Sequence, residues 1–309
     1  MSSETRLGFF AAFFAYAIWG FLPIYFKVLG HIDPTTMLAH RIVWALPTGL
    51  LLLIVARQLP AIKAAFNRKI IGWLLLSSML IAANWLIYIW AVGQDRVLEA
   101  SFGYYINPLV NVAIGAIFFA ERLNRAQWTA VALAWIGVVI MGIALGGVPI
   151  VALFLCFSFA AYSLIRKTVQ IDGRAGFVVE TAMLFPVALI WMHWLSGQGS
   201  PLWGTGSVLD IGLLIFAGPV TAIPLILFAV AAKRLQLTTI GIMQYMAPSL
   251  QFLLAVLVFR EAFALTHALA FVFIWLALII FSVDGWQKAN AGKSRGAFSR
   301  LRRRDCDML

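Results

Sequence analysis

Polar side chains recur at helical spacing inside stretches apolar enough to lie in a bilayer. Tyr104, Asn107 and Asn111 are three and four residues apart, so a helix places them on one face. Pro108 removes a backbone N–H donor beside them, which weakens the helix locally. Hydroxyl and amide groups next to loosened backbone could bind a polar solute by hydrogen bonds. The pattern therefore favours the lining of a small-molecule pathway.

Three further candidates are titratable or charged and lie within apolar segments. Arg41 could attract an anionic group, or its guanidinium could reach the membrane surface or bond neighbouring carbonyls. His40, beside it, could titrate and take part in proton coupling. Glu180 could also couple protons, or it could lie at a solvated helix start, where a carboxylate suits the helix dipole. The sequence leaves these alternatives open.

Two other polar or aromatic positions have both a functional and a packing interpretation. Asn84 and Tyr88 lie four residues apart in one apolar stretch and could contact a ligand or bond between helices. Trp19 precedes Gly20 and could form part of a pocket, or pack against that small residue.

The stretch around Pro108 has a second copy 140 positions further along the chain. The matching pairs are Pro108 and Pro248, Tyr105 and Tyr245, Phe119 and Phe259, Glu121 and Glu261, Trp135 and Trp275, Lys27 and Lys167, and His40 and Glu180. Asn111 falls on Gln251, and Tyr104 falls on Gln244. We infer two copies of one unit, in residues 1–146 and 147–287, followed by a basic tail over 288–309 that we expect to be disordered.

The composition is typical of a polytopic membrane protein. The 309 residues are 63% hydrophobic and 11% charged, whereas a soluble domain has about a quarter of its residues charged. A bilayer core needs roughly 20 apolar residues per helix. Such runs lie near 7–28, 36–56, 70–92, 98–120, 127–145, 148–166, 177–196, 209–232, 238–259 and 265–285. The sequence therefore predicts an all-α membrane protein of ten transmembrane helices, with Asn124 and Gln127 as a cap at the start of the fifth.

The positions of the basic residues predict the topology. With the N-terminus inside, the 23 Lys and Arg residues all fall in cytoplasmic segments except Lys27, Arg41, Arg96 and Arg260. Both termini are then cytoplasmic, and the net charge of +11 reflects topology rather than binding of nucleic acid. Five helices are an odd number, so the second unit enters from the opposite side. Two inverted five-helix repeats are a recurring design of secondary transporters.

Chemistry motifs are missing from the sequence. It contains no phosphate-binding loop, no dinucleotide fingerprint, no metal-spaced His or Cys set and no GxSxG element. We therefore expect no enzyme activity, no cofactor and no metal. The expected partners are a small-molecule substrate and the lipid bilayer, with the chain acting as a monomer or a homodimer.

Several segments also resemble a known family. AIWGFLPIYFKVL, LAHRIVW, AANWLIYIWAV, LEASFGYYINPLVN and NPLVNVAIGAIFFAERLNRAQW resemble the EamA branch of the drug/metabolite transporter superfamily, and within it the RarD subgroup. The resemblance covers about residues 5–287. It implies a permease of the bacterial inner membrane that exports small metabolites or drugs. It also implies that the first, third, fourth, sixth, eighth and ninth helices surround the cavity.

These observations predict a secondary-active transporter that works by alternating access on a small neutral or zwitterionic molecule. The predicted pathway comprises Trp19, His40, Arg41, Asn84, Tyr88, Tyr104, Asn107, Asn111, Gln244, Tyr245 and Gln251, with His40 and Glu180 as candidates for proton coupling. The alternative is a lipid-handling or regulatory membrane protein without solute turnover.

Overall fold

The regular elements of the structure are helices throughout the described residues. The computed structural model describes residues 3–118, 123–232, 234–235 and 243–284, without the side chains of residues 111–118, 167, 229 and 232. The helices are α1 (Ser3–Val28), α2 (Pro34–Val55), α3 (Arg68–Gly93), α4 (Val97–Phe118), α5 (Arg125–Ala144), α6 (Ile150–Thr168), α7 (Gly173–Gly197), α8 (Val208–Ala232), α9 (Met246–Val258) and α10 (Leu265–Asp284). The basic tail and residues 119–122 and 236–242 lie outside the described residues.

The length and composition of these helices fit a bilayer. Seven of them, α1, α2, α3, α5, α7, α8 and α10, are each long and apolar enough to cross a membrane. Large apolar side chains such as Phe14, Ile190 and Leu257 are exposed on the outside of the bundle. An exterior of this kind is stable in lipid rather than in water. The chain is a multi-pass membrane protein.

Side-chain caps determine where several helices begin. The Asp33 carboxylate accepts hydrogen bonds from the N–H groups of Thr35 and Thr36 at the start of α2. Asp172 accepts from the N–H groups of Arg174 and Ala175 at the start of α7. Each cap satisfies N–H groups that have no partner within the helix. The predicted cap of α5 is confirmed as a reciprocal pair between Asn124 and Gln127.

Two segments have backbone windings other than the α-helix. The link between α2 and α3 contains a 3₁₀ helix over Leu59–Phe66. In α9, the described helix begins at Met246 and its last turn, Leu254–Val258, widens to π-helical bonding. Such π-turns interrupt the regular ladder of backbone bonds. Sequence periodicity cannot distinguish these local windings from an ordinary helix or loop.

Packing between helices α1–α5 and helices α6–α10 is reciprocal. Helix α1 packs on α8 and α9, while α6 packs on α3 and α4. Helix α2 packs on α8, and α7 packs on α3. The contacts of α2 with α7 and of α4 with α9 complete the set. Moving every helix number by five exchanges α1–α8 with α6–α3, α1–α9 with α6–α4 and α2–α8 with α7–α3, and it leaves the α2–α7 and α4–α9 contacts unchanged.

Small residues permit the closest helix contacts. A Cβ atom on Gly218 of α8 would lie 2.2 Å from the Trp44 carbonyl oxygen of α2. A Cβ atom on Gly103 of α4 would lie 2.5 Å from the Ala152 carbonyl oxygen of α6. Neither distance leaves room for a methyl group, so both glycines are needed for the observed approach. Small residues at helix interfaces are a common means of tight packing in membranes.

Polar contacts join neighbouring helices at one end of the bundle. We call the end that holds the start of α1 the near end and the opposite one the far end. At the far end, Lys27 pairs with Asp95, and Glu261 accepts from the N–H groups of Val97 and Leu98 at 2.8 Å each. Burial raises the pKa of the Glu261 carboxyl, and those two donors oppose the increase. Glu261 therefore caps the start of α4.

Candidate functional site

Arg41 lies in the interior, where helices α1, α2, α3 and α8 meet. Its side chain is 5% exposed, and its Nε donates a hydrogen bond of 2.8 Å to Thr221 Oγ1 on α8. The Thr221 hydroxyl in turn donates to the Ala217 carbonyl, which fixes its orientation. The alternative in which Arg41 extends to the membrane surface is therefore wrong. Its position seven residues into α2, roughly 10 Å along the helix, keeps it below the far end.

Aromatic rings cover the Arg41 guanidinium. Its central carbon lies 4.1 Å from the Trp85 ring centroid and 5.7 Å from that of Phe26. Cation–π contact with desolvated rings offsets part of the cost of burying this charge. Tyr25 and Tyr88 pack against the Phe26 ring, and Tyr104 packs against Tyr88. We refer to Arg41, Thr221, Trp85, Phe26, Tyr25, Tyr88, Tyr104 and Asn84 as the Arg41 cluster.

The polar groups of the cluster are only partly satisfied. The Tyr104 hydroxyl donates to Asn84 Oδ1 at 3.1 Å, and the Asn84 amide donates to Leu155 O and Ser158 Oγ of α6. The Tyr88 hydroxyl is buried and has no hydrogen-bond partner in the described part of the chain. Tyr88 packs its ring between Phe26 and Tyr104. A buried hydroxyl without a partner keeps its bonding capacity for another molecule.

Two other predicted residues bond to backbone across helix interfaces. The Asn107 amide donates to the Cys156 carbonyl of α6 at 3.0 Å, which ties α4 to α6. The Gln251 amide donates to the Trp19 carbonyl of α1 at 3.1 Å, while its Oε1 is buried without a partner in the described residues. Gln251 is 4% exposed, so it does not face lipid. Both amides lie in the interior, as expected, and both hold helices together.

The remaining predicted residues lie on α1, on α4 and in the turn before α9. The Trp19 ring contacts Tyr16 and Phe228 edge-on or tilted. Tyr245 is half-buried with a hydroxyl that has no partner in the described residues, and Gln244 is half-buried in the turn before α9. The side chain of Asn111 lies outside the described residues. Of the predicted residues, the structure brings Arg41, Asn84, Tyr88 and Tyr104 together in the Arg41 cluster, whereas Asn107 and Gln251 bond elsewhere.

His40 faces away from the Arg41 cluster. Its Nε2 donates to the Leu202 carbonyl at 2.8 Å, and its ring lies 4.7 Å from the Trp203 ring, centroid to centroid. Both partners belong to the α7–α8 connection at the far end. Because successive residues of a helix point about 100° apart, His40 and Arg41 serve different surfaces. The structure does not bring them together.

Glu180 belongs to a second polar group, towards the near end. Its carboxylate accepts from the Ser77 hydroxyl, from the Tyr162 hydroxyl at 3.4 Å, and pairs with Arg166 at 3.5 Å. Glu180 is 1% exposed, so the alternative of a solvated helix start is wrong. We call Glu180, Ser77, Tyr162 and Arg166 the Glu180 cluster. It joins helices α3, α6 and α7.

Sequence reasoning missed several members of both clusters. Thr221, Ser77 and Tyr162 are polar residues inside apolar helices, and this signal could have identified them. Phe26 carries no such signal, since an apolar ring in an apolar helix is ordinary. Only the tertiary packing brings it over Arg41.

With this architecture established, comparison with known proteins identifies the family. Residues 6–143 match the model of the EamA-like transporter family. A Vibrio cholerae protein described as an uncharacterized transporter is 44% identical, covering 94% of this chain and 96% of its own. The Escherichia coli protein RarD is 42% identical, covering 92% of this chain and 96% of its own. The chain belongs to the EamA-like transporter family, and RarD proteins are among its relatives.

Two further comparisons add a more distant relative and a solved structure. A Pseudomonas aeruginosa protein named chloramphenicol-sensitive protein RarD is 33% identical over 87% of this chain and 90% of its own. A crystal structure of a protein 21% identical in sequence aligns with a TM-score of 0.59, covering 92% of this chain and 97% of the other. The second similarity concerns the fold alone. Membership of the family makes this protein a membrane transporter.

Proposed function

We propose that the protein is a secondary-active transporter that moves a small amphiphilic molecule by alternating access. The observation that carries this proposal is the Arg41 cluster. It gathers a buried cation, a free hydroxyl and several aromatic rings from α1, α2, α3, α4 and α8. Convergent polar groups in an otherwise apolar bundle are the usual form of a small-molecule site. Nothing in a purely structural helix bundle requires such a set.

The reciprocal packing supports two inverted five-helix repeats, with ten transmembrane helices in all. Under this proposal α1–α5 and α6–α10 are equivalent units, and the contact of α1 with α8 and α9 mirrors that of α6 with α3 and α4. Equivalent units can exchange their conformations, which gives two states of similar energy open to opposite faces. An odd number of helices per unit makes the two orientations opposite, with both chain ends in the cytoplasm and the bundle in the inner membrane.

The proposed proton coupling and direction of transport depend on the titratable groups Glu180 and His40. Glu180 is the proposed proton carrier, because it is a carboxylate buried in a membrane helix. His40 is the second candidate, at the far end. With near end and cytoplasm on the same side, export would take up substrate from the near end in exchange for protons from the far end.

A thiol-accessibility experiment tests alternating access without knowledge of the substrate. Thr221→Cys would be introduced into a Cys156→Ser, Cys306→Ser background and reconstituted in liposomes of known orientation. A membrane-impermeant thiol reagent, added from either face, is expected to label this central position from both. Ile279→Cys on α10, which is exposed on the bundle exterior, is the matched control and should be labelled from neither face.

Two outcomes would reject the proposal. Labelling of Thr221→Cys from one face only would mean a cleft with a single opening, not an alternating one. Transfer of fluorescent phospholipid between leaflets by the same liposomes would instead support the lipid-handling alternative. The buried, inward position of Arg41 does not favour that alternative, because lipid headgroups lie at the membrane surface.

A further inference from the structure

We propose that the Arg41 guanidinium is the receptor for a carboxylate, so that the transported molecule is an aromatic or similarly apolar compound bearing one carboxylate group. This inference rests on the proposed transport function and names its substrate class. The site is built on the two Nη atoms of Arg41, and the unpartnered hydroxyl of Tyr88 belongs to the same cluster. The rings of Trp85 and Phe26 form its apolar wall.

The first step of the argument is that Arg41 keeps donors to spare. Within the described residues, Nε is the one guanidinium nitrogen that makes a hydrogen bond, and that bond goes to the neutral Thr221 hydroxyl. A guanidinium carries five N–H donors and stays charged at any ordinary pH. The two Nη atoms therefore present an unused pair of donors at the end of the fork. That edge has the spacing of the two oxygens of a carboxylate.

The second step is that the described carboxylates have other partners. Glu4 pairs with Arg234, Asp95 with Lys27, Glu99 with Arg96, Glu180 with Arg166, and Asp210 with His31, while Asp33, Asp172 and Glu261 cap helices and Asp284 accepts from Asn124. A buried charge is costly unless it is paired. The described part of the chain supplies no counter-ion to Arg41, and a bound anion would provide one.

The third step concerns the shape of the anion. Thr221 holds the Nε edge, and Trp85 stacks at 4.1 Å against one face of the guanidinium. The Nη end of the fork is then the part of the guanidinium that makes no hydrogen bond within the described residues. A carboxylate placed there can accept from both Nη atoms. Its organic part would then contact the surrounding rings, which favours an apolar or aromatic body over a sugar or a polyanion.

Three probes of one shape test this assignment. They are 3-phenylpropionate, its amide and the corresponding ammonium compound, which carry negative, zero and positive charge. Radiolabelled 3-phenylpropionate would be bound to the purified full-length protein and displaced by each unlabelled compound. We expect the carboxylate to bind at least about tenfold more tightly than the amide, since hydrogen bonds to charged groups are the stronger ones. The ammonium compound should not compete.

Variants connect the preference to Arg41. Arg41→Gln should weaken carboxylate binding roughly tenfold to a hundredfold and change amide binding by no more than about twofold. Arg41→Lys keeps the charge but not the forked guanidinium. Its affinity for the carboxylate should therefore lie between those of the unaltered protein and Arg41→Gln. Arg68→Gln, at an exposed arginine at the start of α3, is the matched control and should bind like the unaltered protein.

Three results would overturn the assignment: equal affinity of the unaltered protein for carboxylate and amide, a carboxylate preference that survives in Arg41→Gln, or no binding of the carboxylate at millimolar concentration. If Arg41→Gln does not purify as a folded protein, the unaltered protein and Arg41→Lys decide the question. Two-sided labelling of Thr221→Cys without a carboxylate preference would reject this inference alone. Carboxylate binding with one-sided labelling would reject alternating access alone.

Discussion

The two buried polar clusters differ in how completely the protein satisfies them. In the Glu180 cluster, the carboxylate receives two hydroxyl donors and a guanidinium from its own chain. In the Arg41 cluster, the guanidinium donates one hydrogen bond to a neutral hydroxyl and otherwise contacts aromatic rings. The Glu180 cluster lies towards the near end and the Arg41 cluster towards the far end. The Glu180 carboxylate has its hydrogen-bond donors and its counter-ion within the protein. The Arg41 guanidinium keeps its Nη donors available within the described residues.

This difference indicates what each cluster contributes. Removing one member of a satisfied buried pair leaves the other charge uncompensated, so the Glu180 cluster should matter for stability. A cation without a counter-ion already costs free energy in the folded protein, so its removal should cost little. Sites that bind ligands commonly carry such a stability cost. The predictions below test this contrast on the free energy of unfolding in detergent micelles.

The largest loss is expected for Glu180→Ala. The substitution leaves Arg166 and two hydroxyl groups without their common acceptor, and we expect the free energy of unfolding to fall by about 3 kcal/mol. Denaturant titration followed by circular dichroism measures the change. Glu180→Gln retains an acceptor for Ser77 and should lose less, and Glu4→Gln, at an exposed ion pair, should lose under ~1 kcal/mol. An equal loss in all three variants would contradict the role given to burial.

Gly218→Ala should have the next largest effect, through the Arg41 cluster. Its methyl group would meet the Trp44 carbonyl at 2.2 Å, and backbone cannot move aside as a side chain can. We expect a loss of about 2 kcal/mol and a separation of α8 from α2, which carries Thr221 away from Arg41. Gly212→Ala is the control in the same helix, since nothing lies within 4 Å of its Cβ. If neither substitution changes the free energy of unfolding, α2 and α8 do not approach each other as closely as described here.

Gly176→Ala should have a smaller effect, of about 1 kcal/mol. Its Cβ would lie 2.0 Å from Nη1 of Arg166, but the end of this long side chain can shift away. The cost is then the loss of the ion pair with Glu180. For this reason the effects of Gly176→Ala and Glu180→Gln should be less than additive in the double variant. Full additivity would show that the glycine acts independently of the Glu180 cluster.

The smallest change is expected for Arg41→Met. Methionine keeps most of the length that packs against Trp85 and removes the unpaired charge, so stability should change by less than ~1 kcal/mol and could rise. The same unfolding titration applies, with the Glu180→Ala result as the reference. A loss as large as that of Glu180→Ala would mean that Arg41 is satisfied within the protein. The contrast between the two clusters would then fail.

Much of the architecture could be predicted from the sequence because lipid imposes simple rules. Apolar runs of sufficient length located the helices, and residue types at their ends located caps such as the one formed by Asn124 and Gln127. The predicted helix positions agree with the described ones to within a few residues for α2 and α3. The 3₁₀ helix at Leu59–Phe66 was missed, because its winding depends on packing and not on hydrophobic period.

The candidate site was predicted only in part. The sequence alone determined that Arg41, Asn84, Tyr88, Tyr104 and Glu180 are polar groups in apolar helices, and such groups turn inward because lipid cannot solvate them. It could not determine which of them meet. The tertiary structure decided the partners of both residues. His40 bonds the α7–α8 connection, whereas Arg41 bonds Thr221, which is 180 positions away. Contacts between distant helices depend on how their surfaces fit together, and no local pattern of residues encodes that fit.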